Sequence, residues 1–368
     1  VALPLTLATT PQASALALIE PDLLSWDAFV SEHLYGHLLQ RSAWGALKSD
    51  FGWQTRRVAV AGTSFDQASV PKLRAGAQLL IRRRYGFALI YVPRGPLFSG
   101  DDAIDALLLR GIVRIARRSR AIFVRFEPNL LEQDDGADQL HTGLLLQGFR
   151  SVEPIQPQST IRLSLNASPE TLFAAFSKGH RADIRRAERQ GVRVRVGEQV
   201  DVAAFYAIME ATSARAGFNI HAPEYYQSAW NRFQPDSLLL LAERAGETLA
   251  AHMVFSDGRT GLYFYGGATD EGLKSGANHA LQWAAIRWAQ ERGCHSYDFW
   301  GIPDALGRAA HAPGEAEQAA LEATAQQDAL IGVYRFKKGF GGDIVRFLPA
   351  YDYVYINPLY QLVRRRLG

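Results

Sequence analysis

"FALIYVPRGPLFSGDDAIDALLLRGIVRIARRSRAIFVRFEP" spans Phe87–Pro128. Its first part is an apolar run that stops at a Pro/Gly turn. "DDAIDALLLRGIVRIARRSR" then carries the apolar spacing of a helix, and "AIFVRFEP" is a second strand. The same plan returns downstream. "GLYFYGGATDEG" (261–272) is a strand running into glycines, and "NHALQWAAIRWAQERG" (278–293) is an amphipathic helix stopped by Gly293. "HSYDFWGIP" (295–303) is again a strand. The separation from Tyr91 to Phe126 equals that from Tyr263 to Asp298, 35 residues in both.

Each unit is preceded by a hairpin-like pair, "WQTRRVAVAG" with "GAQLLIRRR" in the first half and "LLLLAERAGETLAAHMVFSD" in the second. A helix precedes each pair, "RSAWGALKSDFG" and "VAAFYAIMEATSARAG". The sum predicts a mixed α/β fold duplicated in tandem. Its element order resembles the acyl-CoA N-acyltransferase (GNAT-like) fold. One domain is expected over 1–158 plus 335–368 and a second, inserted, over 159–334. The Ala-, Glu- and Gln-rich stretch 304–328 reads as a surface loop with a helical turn.

At 368 residues the chain is long for one core, and 48% hydrophobic with 21% charged residues is an ordinary globular composition. A single cysteine, Cys294, excludes a disulfide framework and a cysteine-based zinc site, and suits a reducing cytoplasm. The net charge of +3 requires that an anionic partner be met by a local patch. The opening "VALPLTLATTPQASALALIEP" lacks the basic start of an export signal and reads as an N-terminal strand. No apolar run has the length of a membrane span. Phosphate-loop, dinucleotide-loop, nucleophile-elbow and metal-spaced histidine motifs are all missing, so neither metal nor cofactor is expected.

Of 40 Lys+Arg only six are lysines: Lys48, Lys72, Lys178, Lys274, Lys337 and Lys338. Where only positive charge matters this chain uses arginine, so a lysine marks a place for a compact, titratable ammonium. Lys48 ends the helix that starts near Ser42, where the plain reading is a charge on the helix dipole. In "FSKGHRADIRRAERQGVRVRV", Ser177 is an N-cap and Gly191 a stop. Lys178, Arg181, Arg185 and Arg189 then share one helical face. Such a stripe suits a polyanion such as RNA, or is simply a solvated face. "GVYRFKKGF" alternates as a strand that puts Lys337 and Lys338 on opposite sides, one towards a pocket and one towards water. Asp298, at a strand end, reads as a structural carboxylate.

The segments "SAWGALKSDFGW", "YVPRGPL", "KGHRADIRRAERQGV", "EYYQSAW", "LYFYGGAT", "ALQWAAIRWAQERG", "YDFWGIPD", "YRFKKGFGGDIVRFLPA" and "YDYVYINP" occur in the order seen in the Fem family of peptidoglycan interpeptide-bridge aminoacyltransferases. The chain resembles that family over residues 40–360. The resemblance implies tandem N-acyltransferase-like domains and no cofactor, with aminoacyl-tRNA as co-substrate. The acceptor would be the stem-peptide side-chain amine of lipid II or UDP-MurNAc-pentapeptide. It implies an oxyanion-stabilising role for Lys337 with Phe336 beside it, and a phosphate contact for Lys48. Tyr91, Arg94, Tyr225 and Tyr265 would line the peptide groove, and Lys178, Arg181, Arg185 and Arg189 would hold the tRNA backbone. His221 stands where the family often has an arginine, and the long helical arm of some members is missing. A cytoplasmic monomer touching the inner membrane surface is expected. A tandem N-acyltransferase using acyl-CoA, for which "KSGANHALQ" only distantly resembles the CoA loop, and a non-enzymatic RNA-binding scaffold are the other readings. The residues do not identify the amino acid carried or the general base.

Overall fold

Both strand–helix–strand units form, and among the described residues each is the only parallel pairing in a seven-stranded sheet. The computed structural model describes residues 16–62, 72–217 and 219–367. In the first sheet the order is Leu16–Ile19, Gln54–Gly62, Leu73–Arg84, Phe87–Val92, Ala121–Phe126, Ala350–Val354 and Arg150–Val152. In the second it is Asp343–Arg346, Ser159–Ser164, Ser296–Gly301, Thr260–Ala268, Glu247–Ser256, Ser237–Arg244 and Arg193–Val196. The parallel pairs are Phe87–Val92 with Ala121–Phe126, and Thr260–Ala268 with Ser296–Gly301. Their crossovers are the helices Asp102–Arg118 and Ala277–Glu291. Asp101 caps the first by accepting from the Ala103 and Ile104 N–H groups, and Ile104, Leu108, Ile112 and Ala116 form its buried face. Of the N-terminal strand predicted from the opening residues, Leu16–Ile19 pairs with Gln54–Gly62, and residues 1–15 lie outside the described residues.

Three elements differ from expectation. The strand Asp343–Arg346, expected with the first domain, pairs instead with Ser159–Ser164 of the second sheet, and Phe336 and Phe340 pack in that unit's core. The chain rejoins the first sheet only at Ala350. The stretch 304–328 holds two helices, Asp304–Ala310 and Glu315–Ala325, rather than a loop. Most consequentially, Ile331–Lys338 is a helix and not a strand. Ile331, Tyr334, Lys337 and Phe340 recur every three residues along its inward side, and Lys337 and Phe340 are buried.

This short helix is held at its end by the basic helix Lys178–Arg189. Ser177 N–H donates to Gly339 O at 2.8 Å, and His180 Nε2 donates to Phe336 O at 2.7 Å. Ser177 is the N-cap expected from sequence, accepting from His180 N–H. A third apolar core joins the two units. Trp44, Leu47, Leu80 and Tyr91 of the first pack with Phe205, Tyr225, Tyr226, Phe255 and Leu262 of the second.

The approach at Gly339 is close enough that a Cβ there would sit 1.9 Å from the His180 ring. Gly339→Ala should therefore destabilise the protein by about 1–3 kcal/mol through overpacking. Urea unfolding measures this, and an unshifted midpoint would show that the two helices can part freely.

Candidate active site

Lys337 reaches the seam between the units with only 4% of its surface exposed. Its Nζ donates to Trp300 O at 3.2 Å and to Gly301 O at 2.6 Å. Those carbonyls turn inward because the pairing of Ser296–Gly301 with Ser159–Ser164 slips between Asp298 and Gly301. Trp300 takes a left-handed φ of 64°, unusual for so large a residue. Asp298, fully buried, holds this kink. It accepts from Trp300 N–H at 2.7 Å and from Arg162 Nε at 3.1 Å, the structural part read for it from sequence. An ammonium has three donors. Two are committed here, which leaves one to aim at a ligand.

Burial drives the Lys337 pKa down to about 7, with Asp298 opposing the shift. Lys338, one residue on and about 100° around the helix, is exposed. The separation of the two lysines expected of a strand is thus achieved by a helix. Phe336 sits too deep in that helix to offer its N–H, which the i−4 carbonyl takes. Its carbonyl instead accepts from His180.

Lys48 lies at the other end of the seam. Its Nζ donates to the Tyr225 hydroxyl at 2.8 Å and stands 4.6 Å from the Trp44 ring and 4.8 Å from the Tyr225 ring. Burial lowers its pKa to about 8. His221 stacks on Tyr225 with centroids 3.8 Å apart. Burial, then the nearby Lys48, push its pKa below the usual 6.5, so it is neutral at pH 7 and offers one N–H where an arginine would offer a fixed charge. Tyr265 packs edge-on to Tyr225 and Tyr226. An aromatic floor links the two lysines: Trp44 to Phe264 at 6.2 Å, and Phe264 to Trp300 at 4.3 Å.

Tyr91 and Arg94 do not line an open groove as expected but lie buried beneath this floor. The reason is the strand end itself. Arg94 turns back with φ 48°, and its guanidinium lies 3.7 Å from the Phe347 ring and donates to Pro157 O. The Arg94 Nε has no partner, and burial lowers this guanidinium to about 10, still a cation at neutral pH. Tyr91 donates to Glu127 Oε2 at 2.6 Å. Glu127, absent from the sequence reading, also accepts from the Ile155 and Gln156 N–H groups, and burial raises its pKa. One signal for it was present: it closes "AIFVRFE" at the end of the second strand of the unit, where α/β sites gather.

The basic stripe is separate from this seam. Lys178, Arg185 and Arg189 are exposed, while Arg181 is half-buried and donates to Ala174 O. Arg195, on the strand that follows, is paired with Asp201 and Glu243. Among the described residues no cluster of three or more His, Cys, Asp or Glu could hold a metal ion, and no helix is long and apolar enough to cross a membrane.

Two matches to the FemAB family cover residues 23–247 and 243–365, nearly the whole chain. The chain belongs to the FemAB family. The lipid II:glycine glycyltransferase of Staphylococcus saprophyticus is 25% identical over 414 aligned residues, covering 92% of each chain. That of Staphylococcus aureus strain USA300 is 23% identical, over 92% of this chain and 93% of its own. The crystal structure of FemX superposes with a TM-score of 0.79 at 21% identity, over 94% of this chain and 99% of that one. A tandem GNAT protein from the clavulanic acid pathway gives 0.50 at 10% identity. This FemAB chain is thus a transferase of two GNAT-like units. It shows no long helical arm among the described residues, its longest helix having 17 residues.

Lys337 makes stability pH-dependent with a definite sign. Its folded pKa lies below its unfolded value near 10.5, so between pH 7 and 10 the unfolded chain binds more protons and raising pH stabilises the fold through this group. Lys337→Met removes that contribution. The unfolding free energy of the variant minus that of wild type should fall by about 1.4 kcal/mol per pH unit from 7 to 9, measured by chemical denaturation. A constant difference would mean that the lysine is not buried as a titrating group.

Proposed function

We propose that the chain transfers an amino acid from aminoacyl-tRNA to the side-chain amine of the stem-peptide diamino acid of a peptidoglycan precursor, extending an interpeptide bridge. The acceptor amine attacks the ester carbonyl of the donor. The tRNA terminal hydroxyl leaves with a proton as the new amide forms. The observation that carries this reading is the Lys337 ammonium, fixed by two carbonyls with one N–H unspent. Such a preorganised donor stabilises the negative charge that grows on the carbonyl oxygen. Lys48, a desolvated cation with His221 and Tyr225 beside it, fits the phosphates of a lipid-linked or nucleotide-linked acceptor. The related glycyltransferases are named for lipid II, which agrees with such an acceptor. The exposed stripe of Lys178, Arg185 and Arg189 faces outward near the lysine helix and suits a tRNA backbone.

An acyl-CoA donor fits less well. At Gly276, in the segment distantly resembling a CoA loop, a Cβ would lie 2.2 Å from Asp183 O. The main chain of the basic helix already covers the helix start that a CoA pyrophosphate would need.

Lys337→Met should lower transfer by about 10²–10³-fold at saturating substrates, with acceptor binding near normal. Lys337→Arg should recover little, because a guanidinium does not fit the enclosed site. Lys338→Met should be mild. Near-wild-type turnover of Lys337→Met, or a larger defect in Lys338→Met, would sink the assignment.

Lys48→Ala should raise the KM for a phosphate-bearing acceptor and leave kcat largely unchanged, since the contact is shared by ground and transition states. An effect on kcat alone would contradict it. Arg185→Ala with Arg189→Ala should weaken aminoacyl-tRNA use and flatten its salt dependence.

A further inference from the structure

The hairpin joining Leu73–Arg84 to Phe87–Val92 projects from one pole of the first sheet. It ends in Arg82, Arg83 and Arg84, all exposed, with Tyr85 at its tip. Tyr85 is 84% exposed and held at φ 51°. The C-terminal end of the helix Asp102–Arg118 reaches the same pole. Arg83 donates to Ser119 O, and the Arg120 guanidinium lies 5.0 Å from the Phe87 ring. That helix end exposes Arg114, Arg117 and Arg118, which with Gln147 line a shallow groove of about 680 Å³. Leu146, next to Gln147, is also 84% exposed.

Among the described residues none of these arginines meets a carboxylate, whereas Arg56, Arg125, Arg232 and Arg346 in other parts of the molecule each do. The acidic residues of the long helix, Asp102 and Asp105, stand at its far end. The pole is therefore cationic without local compensation, and it carries an aromatic tip and an aliphatic side chain that no part of the fold covers.

We propose that this pole docks the chain on an anionic phospholipid surface. Unpaired guanidinium groups supply long-range attraction to acidic headgroups, each adding to the affinity within a Debye length. Tyr85 has the apolar ring and polar tip that settle at the headgroup boundary, and Leu146 adds apolar surface of the kind lipid takes up. A nucleic acid backbone would meet the charge equally well but gives an exposed leucine nothing to bury it. The pole also adjoins the seam. The Trp53 main-chain N–H donates to Lys48 O at 3.2 Å, and the Trp53 ring lies 5.6 Å from the Arg82 guanidinium. A surface bound here would lie beside the helix that carries Lys48. This docking stands independently of which group the chain transfers.

The test is co-sedimentation of the full chain with vesicles of phosphatidylglycerol and phosphatidylcholine, against vesicles of phosphatidylcholine alone, at about 0.1 M salt. Wild type should bind the acidic vesicles and not the neutral ones. Combined Arg114→Gln, Arg117→Gln and Arg118→Gln should weaken binding by about 10²-fold. Tyr85→Ser with Leu146→Ser should weaken it without changing its salt dependence. Both variants should keep the wild-type melting temperature and turnover of a water-soluble acceptor, which separates docking from catalysis. Equal binding to neutral vesicles, full retention by the arginine variant, or displacement of the vesicles by tRNA at matched phosphate concentration would overturn the proposal.

Discussion

A lysine ammonium withdrawn from water and set against two backbone carbonyls is the constraint around which the seam is arranged. Keeping a charge there needs acceptors at fixed positions, since an unmatched buried cation would shed its proton. The acceptors exist only because Trp300 occupies a left-handed conformation, and that conformation persists only because the Asp298 carboxylate holds the Trp300 N–H. Asp298 is itself tied to Arg162. The lysine is placed from the other side by a helix that His180 and Ser177 grip through its last carbonyls. Each contact is modest alone. Together they over-determine one side chain, which a preorganised electrostatic site requires.

The division between arginine and lysine acquires a physical sense in this arrangement. Arg94 and Lys337 are both buried cations within the same packed region. Burial leaves Arg94 at about 10, so it remains charged at neutral pH, whereas it brings Lys337 down to about 7. A chain that defaults to arginine has kept lysine at the two places in the seam, Lys48 and Lys337, where the environment makes the charge adjustable.

Much of this was legible beforehand because local chemistry and tertiary packing agree. The two strand–helix–strand units, the hairpins before them, the Ser177 cap and the Gly191 stop all follow from period and capping, and all form. The helix Ile331–Lys338 was misread for a specific reason. Its inward stripe of Ile331, Tyr334, Lys337 and Phe340 has helical spacing, but one position is a lysine, and a hydrophobic pattern breaks where function replaces an apolar residue. Left without that position, eight residues of mixed character alternate well enough to pass for a strand. Glu127 and Trp300 were invisible for another reason. Their roles depend on a kinked backbone and on main-chain donors from residues 155 and 156, which no single stretch of sequence brings together.

The first sheet also carries a temporal implication. Its strand Ala350–Val354 lies between Ala121–Phe126 and Arg150–Val152, although it follows the entire second unit along the chain. It brings Asp352, fully buried, whose two oxygens receive Arg125 at 2.7 and 2.8 Å while Tyr360 donates to one of them. During synthesis, Arg125 and the edges of both neighbouring strands therefore wait, unpaired, until Ala350–Val354 has been made, after the whole of the second unit. The inserted unit can fold early, needing only the edge strand Asp343–Arg346 to finish its sheet. The first is completed only when this later strand arrives as its clasp.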